Sequence, residues 1–193
     1  LAFTTDEAAM RSQLSTLPAV PEAGQVMALP MPDGTMKNFR VWQTPMMPGQ
    51  LAAKYPGIKT FTGVSVDDPG VTAKLDFTLY GFHAMIFDGD NTSFIDPYDN
   101  SNSGYYMVHY KKDEARKLKE QPVCNALRTE PVTNDKTIST ASPKNTLRIS
   151  NGYQLRTYRL ALSCSHQYAQ AATSISSPLV SQVLSKMVTS MNR

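Results

Sequence analysis

Ile58-Lys-Thr-Phe-Thr-Gly-Val-Ser-Val66, Asp67-Asp-Pro-Gly70, Val71-Thr-Ala-Lys-Leu-Asp-Phe-Thr-Leu-Tyr80, Gly81 and Phe82-His-Ala-Met-Ile-Phe87 form the stretch that decides the fold. Each long run is rich in β-branched and aromatic residues, and each break is a turn former. Asp88-Gly-Asp-Asn91 ends the third run, and a fourth follows at Thr92-Ser-Phe-Ile95. Runs this short, with turns this regular, predict hairpins in a mostly antiparallel sheet rather than βαβ units, which need a crossover helix between strands. Gly81 interrupts an apolar alternation and predicts a bulge or a close backbone approach.

Upstream, residues 25–29 and 37–43 flank Pro32-Asp33-Gly34, a tight-turn sequence, and predict one more hairpin. Phe39, Val41 and Gln43 should face one way, Arg40 and Trp42 the other. Trp42, the only tryptophan, is expected as a packing anchor. Pro45 and Pro48 lead into a short helix over residues 49–54. Before the hairpin, Thr4-Thr-Asp-Glu7 reads as a capping box opening an amphipathic helix that Pro18 and Pro21 stop. Downstream, Tyr105-Tyr-Met-Val-His-Tyr110 predicts a last strand after a turn-rich loop at 96–104, and residues 111–121 are polar with room for a helical turn.

Residues 127–152 carry few apolar side chains and no period, the composition of a linker. Beyond it, Leu155 to Leu162 alternates as a half-buried strand does. Pro178-Leu-Val-Ser-Gln-Val-Leu-Ser-Lys-Met-Val-Thr-Ser-Met191 then places apolar residues at helical spacing. Leu179, Val180, Val183, Leu184, Met187, Val188 and Met191 make a broad stripe, expected to pack on the sheet, on a partner chain or on a further polypeptide. The fold class expected is α+β, mostly antiparallel sheet with a few short helices. The domains expected are a β-rich region at 1–127, a linker at 128–152 holding a processing site, and the start of another domain at 153–193. That reading expects an N-terminus trimmed before Leu1 and a chain that continues past Arg193.

The chain has 193 residues, 41% hydrophobic and 18% charged, which suits a folded domain rather than a disordered one. The net charge is +3, and its densest basic cluster, residues 111–119, also holds Asp113 and Glu114. Nucleic acid is therefore not an expected partner. No apolar run is long enough to span a membrane. Two cysteines, Cys124 and Cys164, are too few for a disulfide scaffold. No glycine-rich phosphate loop, Gly-x-Ser-x-Gly elbow or catalytic carboxylate pair is found.

Met47-Pro-Gly-Gln-Leu-Ala-Ala-Lys-Tyr-Pro-Gly-Ile-Lys-Thr-Phe61, Gly81-Phe-His-Ala-Met85 and Ile95-Asp-Pro-Tyr98 resemble the pro-region of secreted reprolysin-like zinc metalloproteases of Bacteroidetes-type bacteria. Leu155-Arg-Thr-Tyr-Arg-Leu-Ala-Leu-Ser-Cys-Ser-His-Gln-Tyr-Ala169 looks like the first strand of their metzincin catalytic domain, and residues 178–193 look like its first helix. The resemblance implies a secreted or cell-surface zymogen whose pro-region chaperones folding and blocks the substrate cleft until processing, between residues 128 and 156. The implied partner is the chain's own catalytic domain or its cleft, with β-augmentation of that domain's sheet as one mode. A homo-oligomer through the 178–191 helix is another arrangement. The alternative function is a stand-alone β-rich binding or adhesion module of a cell-surface protein.

The family's zinc site, His-Glu-x-x-His-x-x-Gly-x-x-His, is absent, so this segment should not hydrolyse peptides and holds no cofactor of its own; zinc belongs to the parent enzyme. Cys124, in Gln121-Pro-Val-Cys-Asn125, is the cysteine placed to act as a latency switch by putting a thiolate on that zinc, although a Pro-Lys-x-Cys-Gly setting is missing. A Cys124–Cys164 bridge and inert thiols are the other readings. His83 and His109 read as hydrogen-bonded strand histidines and His166 as an exposed one. Asp67, Asp68, Asp88, Asp90, Asp96 and Asp99 sit in turns, where self-capping accounts for them better than calcium does.

Overall fold

The computed structural model describes residues 1–101, 103–113, 161 and 163–193. Strand β1 (Ala2–Thr4) leads into helix α1 (Glu7–Ser15), and a 3-10 turn at Pro21–Ala23 precedes the hairpin of β2 (Gln25–Pro30) and β3 (Met36–Gln43). Helix α2 (Gly49–Lys54) then opens the meander β4 (Lys59–Ser65), β5 (Thr72–Thr78), β6 (Gly81–Asp88), β7 (Asn91–Pro97) and β8 (Tyr105–Tyr110), closed by a 3-10 turn at Lys111–Asp113. Helices α3 (His166–Thr173) and α4 (Val180–Asn192) follow. All eight strands join one antiparallel sheet in the order β1-β8-β7-β6-β5-β4-β3-β2. The α+β class and the antiparallel meander are as the turn spacing predicts.

Period-two alternation puts Phe39 and Val41, Phe61, Ala73, Leu75 and Phe77, Phe82, Ala84 and Ile86, Ile95, and Tyr106 and Val108 on one face. The sheet curls around them, and Leu14 and Leu17 from the α1 region close the core. Burying each large side chain is worth roughly 1.5–3 kcal/mol, so this face carries the stability. Among the described residues the core cluster runs from Leu14 to Val108 and takes no side chain from α3 or α4.

Two turns show why their glycines are there. Gly34 closes the β2–β3 hairpin at φ 88°, with its N–H donating to the Met31 carbonyl at 3.0 Å. Gly81 ends the two-residue turn between β5 and β6 at φ 96°, and a Cβ there would lie 2.9 Å from the Tyr106 hydroxyl oxygen. The close approach expected at Gly81 is thus real, at the first residue of β6, where the hairpin turn ends.

Three sequence expectations change. Thr4 does not cap α1, because it pairs with Tyr105 in β1. Asp6 is the cap, its Oδ1 accepting from the N–H groups of Ala8 and Ala9 at 2.9 and 3.1 Å, and Glu7 instead accepts from the Tyr106 hydroxyl at 2.8 Å. The strand read through to Ala169 does not extend that far, since residues from His166 onward are helical. Ser165 is the α3 cap, accepting from the Tyr168 N–H at 3.1 Å. The third concerns which side of α4 is buried, described below. The linker at 128–152, the alternating segment at 155–160 and Cys124 lie outside the described residues.

Candidate functional site

The alternation of β5 sends Leu75 and Phe77 inward and Asp76 to the outer face, yet Asp76 is only 1% exposed. The cover is α4, which packs across β5 within the same compact unit as the sheet. A carboxylate removed from water must be met by donors. Cross-strand pairing sets His83 of β6 opposite Asp76, with Nδ1 3.0 Å from Asp76 Oδ1. A carboxylate oxygen accepts, so the contact is a hydrogen bond in the His83 tautomer that carries its proton on Nδ1. The Thr189 hydroxyl of α4 donates to the same Oδ1 at 2.7 Å. One buried oxygen thus gathers donors from β6 and α4.

The surrounding contacts are also polar. Asn192 donates its side-chain N–H to the Leu75 carbonyl at 2.8 Å. Lys186 donates to Asn100 Oδ1 at 2.7 Å and lies 4.0 Å from the centre of the Tyr80 ring. Burial holds the Lys186 ammonium below its ordinary value, against the pull of Asp96. Arg193 pairs with Asp96 and lies over Phe94. The apolar contribution at this face is Val188, beside Met46, Met47, Ala52 and Ile58.

The sidedness of α4 departs from the stripe expected in the sequence. Ser185, Val188 and Thr189 are its buried residues, whereas Leu179, Val180 and Met191 are 67%, 68% and 39% exposed. Of the seven stripe residues, Val188 is the one fully buried. The helix does pack on the sheet, but through its small and polar side; of the stripe, Val183, Leu184 and Met187 are half-buried, and α3 packs against the helix.

His83, Asp96, Asn100, Lys186, Thr189 and Ser190 line a cleft of ≈ 320 Å³ at this junction. An Asp–His pair beside hydroxyls invites comparison with a nucleophilic triad, in which the imidazole receives the hydroxyl proton. Here the Thr189 hydroxyl donates to the carboxylate and the Ser190 hydroxyl to the Lys186 carbonyl at 2.9 Å. Neither of these two bonds runs to the imidazole, and the Thr189 bond ties α4 to the sheet. A larger cleft of ≈ 480 Å³ lies between β1, α1 and β2, lined by Phe3, Met10, Met27, Leu29 and Phe82. Its one carboxylate, Asp6, is already engaged as the α1 cap.

The histidines stay apart: His83 is buried on β6, His109 lies on β8 with its ring 5.7 Å from Phe94, and His166 is exposed at the start of α3. Cys164 is exposed. Among the described residues no group of three or more His, Cys, Asp or Glu side chains converges, so those residues do not fit a zinc ion. The acidic turns make local contacts: Asp68 accepts from the Gly70 N–H at 2.8 Å and Asp99 from the Ser101 N–H at 2.7 Å, while Asp88 pairs with Lys37. Trp42 is half-buried, on the face opposite the core. No helix among the described residues is long and apolar enough to cross a membrane.

Sequence reasoning missed Asp76, Lys186, Thr189 and Asn192. The readable signal was a carboxylate between Leu75 and Phe77 in a buried run, which calls for a partner. Comparison with protein-family models, curated proteins and solved structures finds no match to this chain.

Proposed function

We propose that this chain is the pro-region of a secreted zinc metalloendopeptidase, followed at 153–193 by the opening of the catalytic domain. The pro-region would chaperone that domain and hold it latent, with zinc supplied by the part of the enzyme that bears its ligands. The observation that carries this reading is the relation of α4 to the sheet. The core closes without α4, and the helix resembling a catalytic domain's first helix is fastened outside it by polar contacts, with Leu179, Val180 and Met191 of its apolar stripe exposed. A pro-region that guides another domain needs such a self-sufficient core with a helix-holding face. The Cys124 zinc switch is part of the proposal, as is the Cys124–Cys164 bridge as its rival.

The test is expression of the whole reading frame that encodes this chain. Expected are bound zinc and a chelator-sensitive peptidase activity that rises when the chain is cleaved within 128–152. Absence of zinc-dependent proteolysis before and after cleavage would overturn the proposal. The packing of α4 on the sheet favours a second reading, a stand-alone cell-surface binding module. Resistance of residues 128–152 to mild proteolysis, together with absence of zinc, would select it.

A further inference from the structure

We infer that the outer face of β5, β6 and β7 is a releasable seat for α4, centred on Asp76 and able to hold the helix without a chain connection. In the zymogen reading on which this rests, the seat is the contact through which the sheet holds the catalytic domain. The basis is the orientation of α4. A helix built permanently into a core buries its apolar stripe, because removing apolar area from water is the main source of stability. Here Val188 alone of the seven stripe residues is closed off, while Val183, Leu184 and Met187 are half-buried and Leu179, Val180 and Met191 stay exposed. The buried side instead offers Lys186, Thr189 and Asn192 at successive turns, followed by Arg193, each with a specific acceptor or ring on the sheet side.

Polar contacts of this kind give orientation and register, but water replaces most of them when the surfaces part. Val188 is the one fully buried apolar residue of α4, with Val183, Leu184 and Met187 half-buried. The central acceptor is the exception. If α4 leaves, Asp76 loses the Thr189 donor but keeps His83, its neighbour on the sheet, so the carboxylate is still met. The sheet can therefore stand without its ligand. The partner that fits is a helix with the pattern Lys-x-x-Thr-x-x-Asn-Arg, with a small apolar residue directly before the threonine.

The test uses the full chain with one site-specific protease sequence placed in 128–152. After a single cut, size exclusion and titration of the nicked protein measure whether the C-terminal piece remains. Expected is co-elution of the two pieces, with Thr189→Val raising the dissociation constant roughly tenfold or more, the worth of a hydrogen bond to a buried carboxylate. Asn192→Leu should weaken it in the same direction, while Val180→Lys, on the outward flank, should leave it within about twofold. Both weakening variants lie on α4, outside the core, and the near-ultraviolet signal of Trp42 checks that the sheet is folded. Immediate loss of the piece from the wild-type nicked chain, or equal retention by Thr189→Val and Asn192→Leu, overturns the seat. No proteolytic activity is read, so the seat can fail while the zymogen proposal stands on its zinc test, and the seat can hold if that proposal fails.

Discussion

Tyr106 shows how much one residue joins in this protein. Its ring is buried against Phe3 and Phe82, its hydroxyl donates to Glu7 at 2.8 Å and accepts the Phe82 N–H at 3.2 Å, and its oxygen lies 2.9 Å from where a Cβ at Gly81 would fall. Tyr106→Phe keeps the ring but orphans a buried N–H, so a loss of about 1–3 kcal/mol is expected in denaturant unfolding. Burial also pushes the Tyr106 phenol well above its ordinary value of 10.0, and the Tyr80 phenol upward as well. The sign follows directly. Above pH 10 the unfolded chain releases these protons while the folded one keeps them, so the stabilisation present below that pH is lost as pH rises. Unfolding followed between pH 9 and pH 11 should show that decline, and Tyr106→Phe should flatten it. Gly81→Ala faces both the positive φ and the Tyr106 oxygen, and should cost more than about 1 kcal/mol. A variant as stable as the parent would falsify that account of the turn.

At the scale of elements, α4 contrasts with the strands it covers. Val180 and Val188 are the same residue type two helical turns apart, yet one is open and the other closed. Val188→Ala should destabilise the protein by roughly 1–3 kcal/mol, and Val180→Ala by less than about 0.5 kcal/mol. Equal effects in thermal melts would mean that α4 is rotated relative to the placement described. The outward flank also sets association: if the helix dimerises the chain, Val180→Lys should move its size-exclusion peak toward the monomer, as a charge on an apolar interface must. The hairpins are simpler, since strand length, turn chemistry and alternation agree in β2–β3 and β5–β6, and both form where the sequence places them.

For the whole molecule, the division between an apolar core and a polar external seat predicts uneven dynamics. Amides of β4, β5 and β6 should exchange slowest with deuterium, and those of α4 should exchange well ahead of them. The helix opens by breaking a few polar contacts, whereas the strands open only with the core. Identical protection in α4 and β5 would show that the helix is an integral part of the core.

Asp67-Asp-Pro-Gly70 and Pro32-Asp33-Gly34 were legible because turn preferences are local: a few φ values and one carboxylate decide them. The same holds for α2, and for the facing of Phe39 and Val41, which alternation alone requires. Strand β1 was illegible, because three residues carry no period and its partner lies about a hundred positions away. That pairing also displaced the cap of α1 from Thr4 to Asp6. The buried side of α4 could not be read either. Its apolar stripe argues for one side, and the choice of the other rests on Asp76, 113 positions earlier, whose burial and partners exist only once β5 and β6 are paired. The sequence by itself determined the longer strands, their turns and the class of fold, because those follow from local stereochemistry and period. Tertiary structure alone decided where the helix sits and which carboxylate holds it, because a buried charge takes its donors from whatever the fold brings near.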